Sequence, residues 1–294
     1  MSALVIAPPG YRPAAERLAA ALGLSFQAMA VHHFPDGESK VTVPASPPQT
    51  VILCQSLDRP NDKLVELLLA SATLRELGTR RLLLVAPYLC YMRQDKAFHP
   101  GEAVSQRIVG RHLAGLVDGL ITMDAHLHRI HDLREAVPLE TAINLSAAPT
   151  LGRFLARQAL ERPLLLGPDA ESAQWVEQVA EAGGFEYAVA TKDRLGDRQV
   201  RIHLPSVDLH GRCVVLVDDV LSSGLTLAMA ARQAKAAGAT CLHALVTHAL
   251  FAEGAESALR EAGVERIWST DAIPHPSNAV FLAELLADAV RPLL

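Results

Sequence analysis

Two adjacent carboxylates end an apolar run in the stretch CVVLVDDVLSSGLTLAMAARQAKAAGAT, residues 213–240. The run CVVLV predicts a buried strand, and Asp218 and Asp219 follow it at a place where an unpaired charge is costly. In open parallel sheets, ligands bind beyond the carboxyl ends of the strands. We therefore expect both carboxylates to face a ligand.

The turn after these carboxylates is suited to binding a phosphate group. Small side chains let backbone N–H groups approach an anion, and the start of a helix adds a favourable partial positive charge. The small residues of this turn are Ser222, Ser223, Gly224 and Thr226. Beside such a turn, the carboxylates would hold Mg²⁺ or the hydroxyl groups of a phosphorylated sugar. The alternative is that Asp219 or Ser222 caps the helix and that Asp218 is solvated.

The elements that must position these residues alternate along the chain. Short β-branched or leucine-rich runs alternate with alanine-rich amphipathic stretches, a pattern typical of βα units around a parallel sheet. The predicted strands are ALVIA, KVTVP, TVILCQ, RLLLVAP, GLITMD, RPLLLGP, FEYAVAT, CVVLVDD, CLHALVTH and RIWSTD. Helices are predicted between them, for example over 62–78 and 103–116. Ten strands are more than one open sheet usually holds. We therefore expect an α/β protein with two similar domains, 1–145 and 146–276.

Composition and charge exclude several classes of protein. The chain has 294 residues, of which 50% are hydrophobic, and its net charge of −5 disfavours nucleic acid as a partner. No apolar run approaches the ~18 residues of a membrane-spanning helix, and the first residues lack the features of a signal peptide, so we expect a soluble protein. The four cysteines adjoin apolar runs without C-x-x-C spacing, so we expect reduced, buried thiols in a cytoplasmic protein and no zinc site.

Seven further short stretches combine polar, charged and small residues that could form binding sites. They are FPDGE (34–38), NDKLVELLL (61–69), PYLCYMRQDKAFHPGEAVS (87–105), DAHLHRI (124–130), GPDAESA (167–173), TKDR (191–194) and VTHALF (246–251). With residues 213–240, they make the chain similar to the ribose-phosphate diphosphokinase, or PRPP synthetase, family over nearly its whole length; PRPP is phosphoribosyl diphosphate. One motif could arise by chance, but seven in order are a strong signal.

The resemblance implies a fold, a reaction and partners. Each domain would have a phosphoribosyltransferase-type fold, a mainly parallel sheet flanked by helices, and the terminal helix within 277–294 would pack on the first domain. The implied reaction transfers the diphosphoryl group of ATP to the 1-hydroxyl group of ribose 5-phosphate, giving PRPP and AMP, with Mg²⁺ as the cofactor. The family forms homo-oligomers, and we expect no nucleic-acid or membrane partner.

The resemblance assigns the ATP site to the first domain. Carboxylates can accept hydrogen bonds from the adenine amino group, an aromatic ring can stack on adenine, and a guanidinium group fits phosphate oxygens. The residues so assigned are Phe34, Asp36, Gly37, Glu38, Arg93, Gln94 and His126. His126 is also the implied metal-linked histidine. Its neighbours His128 and His131 raise the alternative of a transition-metal cluster, but the carboxylates and phosphates of the implied site favour Mg²⁺, and we expect these two to be structural or surface residues.

The resemblance assigns catalysis and sugar binding to the second domain. The implied catalytic cations are Lys192 and Arg194. If their segment is extended, alternate residues point the same way, so both charges could reach one transferring phosphoryl group. They open an implied lid that continues with LGDRQV, residues 195–200. The implied ribose 5-phosphate site comprises Asp169, Asp218, Asp219, Ser222, Ser223, Gly224, Leu225 and Thr226. Asp169 is, with His126, an implied metal ligand, and it could also cap a helix.

The phosphate-binding loop departs from the family pattern, Asp-Asp-hydrophobic-hydrophobic-Asp-Thr-Gly-Gly-Thr, at three positions. Ser222 replaces the third Asp, Ser223 replaces the Thr, and Leu225 replaces the second Gly. Serine keeps a hydroxyl group but removes a negative charge, and Leu225 is tolerable only with a negative φ. Altered kinetics, altered acceptor choice or lost activity could follow. Two other functions therefore stay open: a non-catalytic regulatory subunit similar to PRPP synthetase, and a phosphoribosyltransferase that consumes PRPP, although the latter leaves FPDGE and YMRQD unexplained.

Overall fold

The chain divides into two compact units. A computed structural model describes residues 3–127, 129–194 and 200–294, without the side chains of 192–194 and 200–201. The first unit combines Met1–Leu145 with Phe281–Leu294, and the second is Ser146–Val280. Each unit contains its own cluster of buried apolar side chains.

The first unit contains eight strands and five helices among its described residues. The strands are β1 (Ala3–Ala7), β2 (Ser25–Ala28), β3 (Ala30–His33), β4 (Ser39–Thr42), β5 (Thr50–Cys54), β6 (Arg81–Val85), β7 (Gly119–Met123) and β8 (Thr141–Leu145). The helices are α1 (Arg12–Leu22), α2 (Pro60–Glu76), α3 (Ser105–Ala114), α4 (Leu133–Ala136) and, at the end of the chain, α9 (Ala283–Val290). Helix α9 packs against α1.

The second unit also contains eight strands, with four helices, among its described residues. The strands are β9 (Leu164–Gly167), β10 (Glu186–Val189), β11 (Thr191–Arg194), β12 (Val200–His203), β13 (Cys213–Leu221), β14 (Cys241–Ala249), β15 (Arg266–Thr270) and β16 (Asn278–Val280). The helices are α5 (Ala148–Leu155), α6 (Ala173–Gly183), α7 (Leu225–Ala236) and α8 (Ala255–Glu261).

The two units share one topology. The first sheet has the order β2-β1-β5-β6-β7-β8 and the second has the order β10-β9-β13-β14-β15-β16. All neighbours in both sheets are parallel, and each unit inserts an antiparallel hairpin, β3–β4 or β11–β12, at the same place in its strand sequence. The predicted α/β class with two mainly parallel sheets is confirmed. The order reverses between β9 and β13, so a ligand of the second unit is expected at their carboxyl ends.

Continuous apolar runs explain the central strands. All five residues of β5 and of β7 are buried, as expected for strands covered by helices on both faces. Nine of the ten predicted strands lie in the two main sheets. The exception, KVTVP, falls in β4, whose half-exposed residues pair with β3 in a hairpin outside the first sheet.

Some expectations from the sequence need correction. The sequence patterns missed β2, β3, β8, β12 and β16, which are short or only partly buried and therefore lack a continuous apolar run. Of the two named helices, the first has the predicted length but begins and ends two residues earlier, at Pro60–Glu76, and the second is shorter than predicted, at Ser105–Ala114. The expectation of four reduced thiols is wrong for two of them: Cys213 and Cys241 form a disulfide, whereas Cys54 and Cys90 are buried and outside any disulfide of the described residues.

None of the helices in the described part of the chain combines the length and the apolar character that crossing a bilayer requires.

Candidate functional site

Three carboxylates gather where the strand order of the second unit reverses. Asp169 lies two residues beyond the end of β9, and Asp218 and Asp219 lie near the end of the adjacent strand β13. The backbone N–H of Asp219 donates to Oδ1 of Asp218 at 3.0 Å. The fold therefore brings together residues that are 49 positions apart in the sequence.

Asp218 is perturbed by its burial and by the two carboxylates beside it. Burial raises the pKa of Asp218 well above its ordinary value, and the charges of Asp219 and then of Asp169 raise that pKa further. A site that disfavours its own negative charge favours a cation or a hydroxyl donor. Carboxylate oxygens are the ligands that Mg²⁺ prefers in proteins, so the chemistry of this donor set fits that ion.

Asp169 is held by a small cap. Its Oδ1 accepts from the backbone N–H of Glu171 at 3.1 Å, and the hydroxyl group of Ser172 donates to its backbone carbonyl at 2.6 Å. An added Cβ on Gly167, the last residue of β9, would lie 2.6 Å from that hydroxyl oxygen. Asp169 thus caps a short turn of 3₁₀ helix, as the sequence allowed. Gly167 and Ser172, which the sequence analysis did not single out, fix its position.

The loop after β13 is fixed by its backbone. The carbonyls of Leu221 and Ser222 accept from the backbone N–H groups of Phe251 and Ala252 at 3.0 and 2.9 Å. Gly224 is the N-cap of α7, with φ of 69° and no side-chain cap. The alternative in which Asp219 or Ser222 caps this helix is therefore wrong.

The remaining loop residues surround the start of α7. Ser223 is exposed, and its Oγ lies 3.5 Å from the backbone nitrogen of Leu225. Leu225 is the first residue of the helix and is not among the described residues with positive φ, which satisfies the condition set by its side chain. That side chain is 61% exposed. Thr226 follows within the first turn of α7.

The predicted catalytic cations lie on the hairpin of the second unit. Lys192 and Arg194 belong to β11, which pairs with β12 so that Lys192 is opposite Ile202 and Arg194 is opposite Val200. The segment is therefore extended, as the expectation for these two cations requires. The predicted lid, 195–200, lies outside the described residues except for the backbone of Val200.

The first unit places FPDGE in the turn between β3 and β4. The backbone N–H of Phe34 donates to the carbonyl of Glu38 at 2.8 Å, and that of Gly37 donates to the carbonyl of Phe34 at 2.9 Å. Oδ1 of Asp36 accepts from the backbone N–H of Glu38 at 3.1 Å. Gly37 has φ of 91°, which favours glycine, and the ring of Phe34 is 40% exposed. The turn thus presents an aromatic ring and two carboxylates together.

The other two segments assigned to ATP are tied together by an ion pair. Nη1 of Arg129, in the loop of His126, lies 2.5 Å from Oδ1 of Asp95, which follows Arg93 and Gln94. The Asp95 side chain is only 3% exposed, whereas that of Arg129 is 50% exposed. The sequence analysis missed this pair, although both residues lie inside the quoted motif segments. It fixes two loops that are more than 30 positions apart in the sequence.

The individual ATP candidates differ in their surroundings. Arg93 is exposed, and Gln94 donates through Nε2 to the carbonyl of Lys96 at 3.0 Å. His126 is half-buried. His131 is exposed and, within the described residues, belongs to no group of three potential metal ligands; His128 lies outside them. The surface position expected for His131 is confirmed.

Comparisons with known proteins identify relatives of the whole chain. A family model described as the N-terminal domain of ribose phosphate pyrophosphokinase matches residues 4–116, and a phosphoribosyl synthetase-associated domain matches residues 199–291. A ribose-phosphate pyrophosphokinase of Methanopyrus kandleri is 39% identical over 94% of each chain. One of Methanosarcina acetivorans is 33% identical over 98% of this chain and 99% of that protein.

A solved structure shares the fold over the full length. The phosphoribosylpyrophosphate synthetase of Mycobacterium smegmatis superposes with a TM-score of 0.83, at 22% identity, covering 100% of this chain and 99% of that one. This structural match, at 22% identity, shows the fold alone. The sequence identity to the Methanopyrus and Methanosarcina proteins over nearly the full length shows the family. The chain belongs to the ribose-phosphate pyrophosphokinase family.

Proposed function

We propose that this chain is a ribose-phosphate diphosphokinase that transfers the diphosphoryl group of ATP to the 1-hydroxyl group of ribose 5-phosphate. The products are PRPP and AMP. Its full-length relatives bear the name of this activity. The observation that carries the proposal is the group of three carboxylates beside the loop at Gly224, at the reversal of strand order in the second unit.

The second unit would bind the sugar phosphate. Backbone N–H groups of residues 222–226 and the start of α7 suit the 5-phosphate, because they offer donors and a partial positive charge. Asp218 and Asp219 would accept hydrogen bonds from the ribose hydroxyl groups. Binding such a donor, or a cation, would offset the burial and the repulsion by Asp219 and Asp169, which together raise the pKa of Asp218.

The first unit would bind ATP. Phe34 offers an exposed ring for stacking on adenine, and Asp36 and Glu38 offer acceptors for its amino group. Arg93 would contact phosphate oxygens, with Gln94 as a neutral partner. The Asp95–Arg129 ion pair supports this assignment, because it holds the loop of Arg93 against the loop of His126.

Magnesium is the cofactor that the family resemblance implies, and carboxylate oxygens such as those of the second unit are the ligands that it prefers. His126 in the first unit and Asp169 in the second are the proposed ligands. When bound, Mg²⁺ would neutralise charge that spreads over the transferring group. Lys192 and Arg194 would supply further positive charge to the same group, while the protein aligns the 1-hydroxyl group with the β-phosphorus.

A direct assay tests the reaction. Purified protein is incubated with ribose 5-phosphate, ATP and Mg²⁺, and AMP and PRPP are measured. We expect equal amounts of both products, and a loss of AMP formation in Lys192→Ala with the fold intact. The matched control is Arg232→Ala, which removes an exposed cation from α7 of the same unit and should leave the rate unchanged.

The outcomes separate the competing functions. No AMP under any condition would favour a non-catalytic subunit, and consumption of added PRPP with a nucleobase would favour a phosphoribosyltransferase. A fully active Lys192→Ala would remove the main catalytic assignment while leaving the reaction itself in place.

The departure at Ser222 has its own test. Ser222→Asp restores the charge of the family pattern, and we expect the KM for ribose 5-phosphate to change more than the KM for ATP. An equal or absent effect on the two constants would show that this position is not specific to the sugar.

The quaternary state and the compartment complete the proposal. A homo-oligomer is supported by exposed apolar side chains on α2, namely Val65, Leu68 and Leu69. Light scattering of the wild type and of Val65→Glu tests this, with dissociation expected in the variant. A cytoplasmic location is supported by Cys54 and Cys90, whose thiols take part in no disulfide among the described residues, whereas the Cys213–Cys241 disulfide counts against it. Burial raises the pKa of Cys90 to about 12, which keeps that thiol unreactive.

A further inference from the structure

Two cysteines and a histidine meet at the amino ends of β13 and β14. Cys213 and Cys241 are the first residues of these neighbouring strands and lie opposite each other, with their Cα atoms 4.6 Å apart. His243 lies two residues along β14, so its side chain shares a face with Cys241. Nε2 of His243 is 3.7 Å from Sγ of Cys241. These three donor atoms all lie within 4.8 Å of one another.

Neighbouring side chains bury Cys213 and His243, whereas the side of the group at Cys241 is partly exposed to solvent. Cys213 is 1% exposed and His243 is 5% exposed, and the ring of Trp268 lies against that of His243 with centroids 4.9 Å apart. Cys241 is only partly buried. An ion bound here would be shielded by the sheet and by Trp268, and solvent could complete its coordination beside Cys241.

We propose that Cys213, Cys241 and His243 bind a thiophilic divalent cation of the zinc type when the protein is reduced, and that the disulfide is the metal-free, oxidised state of the same site. Two sulfur donors and one imidazole nitrogen are the ligands that Zn²⁺ and Co²⁺ prefer, and a water molecule would occupy the fourth position. Two thiolates exactly offset the charge of such a cation, so the buried site would carry no net charge, which burial favours.

The exchange between the two states balances. A dithiol reductant gives two electrons and two protons to the Cys213–Cys241 disulfide; the S–S bond breaks, two thiols form, and the reductant becomes a disulfide. Each thiol then loses its proton to solvent as it binds the cation, while neutral His243 donates the lone pair of Nε2. Oxidation reverses these steps and releases the ion.

The site is separate from the candidate sugar-phosphate site. Cys213 lies at the opposite end of β13 from Asp218, about 16 Å away at the usual rise per residue of a strand. We therefore expect the ion to stabilise the second unit rather than to take part in transfer of the diphosphoryl group.

One feature limits the affinity. Among the described residues, Nδ1 of His243 is buried and has no hydrogen-bond partner. A second hydrogen bond normally orients a metal-binding histidine, and its loss typically weakens binding by about 10- to 100-fold. We expect weaker binding than in a structural zinc site with a complete outer shell.

Cobalt binding to the full chain tests the proposal. Co²⁺ is titrated into protein reduced with a dithiol that is then removed without oxygen, and into oxidised protein. We expect one Co²⁺ per reduced chain, with thiolate-to-cobalt charge-transfer absorption in the near ultraviolet, and no such absorption with oxidised protein. Zn²⁺ should displace the Co²⁺ and abolish the band.

Variants identify the ligands. Cys213→Ser should abolish the band, and His243→Gln should weaken binding at least tenfold, whereas Cys90→Ser, which removes a thiol in the other unit, should change neither. Absence of the band in reduced wild-type protein would overturn the proposal, as would a band that Cys213→Ser or His243→Gln leaves unchanged. The comparison of reduced with oxidised wild type needs no variant, so it stands even if a substitution prevents folding.

Discussion

Gly224 offers a sharp test of how the candidate phosphate loop is held. It is the N-cap of α7, with φ of 69°, and an added Cβ would lie 3.2 Å from the carbonyl oxygen of Ala255. Gly254 is a matched control, because it caps α8 with φ of 80° and an added Cβ would meet nothing within 4 Å. Alanine at either position is strained by its φ, but only Gly224→Ala also crowds a neighbouring element.

The expected magnitudes follow from this difference. A left-handed backbone costs a residue with a Cβ about 1–2 kcal/mol, so Gly254→Ala should lower the free energy of unfolding by that amount. The tight contact with Ala255 adds about 1 kcal/mol, the low end of the range for overpacking. Gly224→Ala should therefore lower it by about 2–3 kcal/mol. Movement of the loop would also weaken charge-assisted hydrogen bonds to the 5-phosphate, which raises the KM for ribose 5-phosphate by about tenfold.

Urea unfolding and steady-state kinetics measure these two effects. Both variants should lose stability, but only Gly224→Ala should raise the KM for ribose 5-phosphate, with little change in the KM for ATP. If Gly254→Ala raised that KM equally, the loop would owe its position to general stability rather than to the contact at Gly224. If Gly224→Ala were as stable as the wild type, the steric argument would be refuted.

Three further predictions rest on other contacts. Asp218→Asn should abolish activity yet stabilise the metal-free protein at neutral pH. Because the pKa of Asp218 is raised in the folded state, the contribution of this group to stability is full at acidic pH and is lost as pH rises through that raised pKa. Thermal unfolding across pH should therefore show the difference between wild type and variant growing as pH rises. Arg129→Met should lower the free energy of unfolding in urea by about 3 kcal/mol, because it leaves the buried Asp95 carboxylate without its partner. Asp95→Asn should lower it by only about 1 kcal/mol, because the Arg129 side chain that remains is half exposed. Equal losses in the two variants would contradict this reasoning. Reduction of Cys213–Cys241 without metal should lower the free energy of unfolding by about 3–4 kcal/mol, given a sequence separation of 28, and Cys213→Ser should show no response to reductant.

Strands differ in how well the sequence predicts them, because some are marked by an apolar run and others form only by pairing with a neighbouring strand. The central strands β5 and β7 and the CVVLV part of β13 are wholly or largely apolar, so their composition identifies them from the sequence. The edge strand β2 is largely exposed and carries no such signal; it forms because β1 offers it a partner. The motifs FPDGE and DDVLSSG, in contrast, can be recognised from the sequence, because their chemistry depends on the order of a few consecutive residues.

The α/β class and the family can be read from the residues alone, as can the set of residues proposed to carry the chemistry, because these depend on local composition and on short motifs. Which distant residues meet follows only from the three-dimensional fold. It brought Asp169 to Asp218, tied Asp95 to Arg129, and joined Cys213 to Cys241, against the expectation that all four thiols are reduced. The register of β13 with its neighbours β9 and β14 sets the first and third of these pairings, and the packing of two loops sets the second. None of the three follows from spacing along the chain.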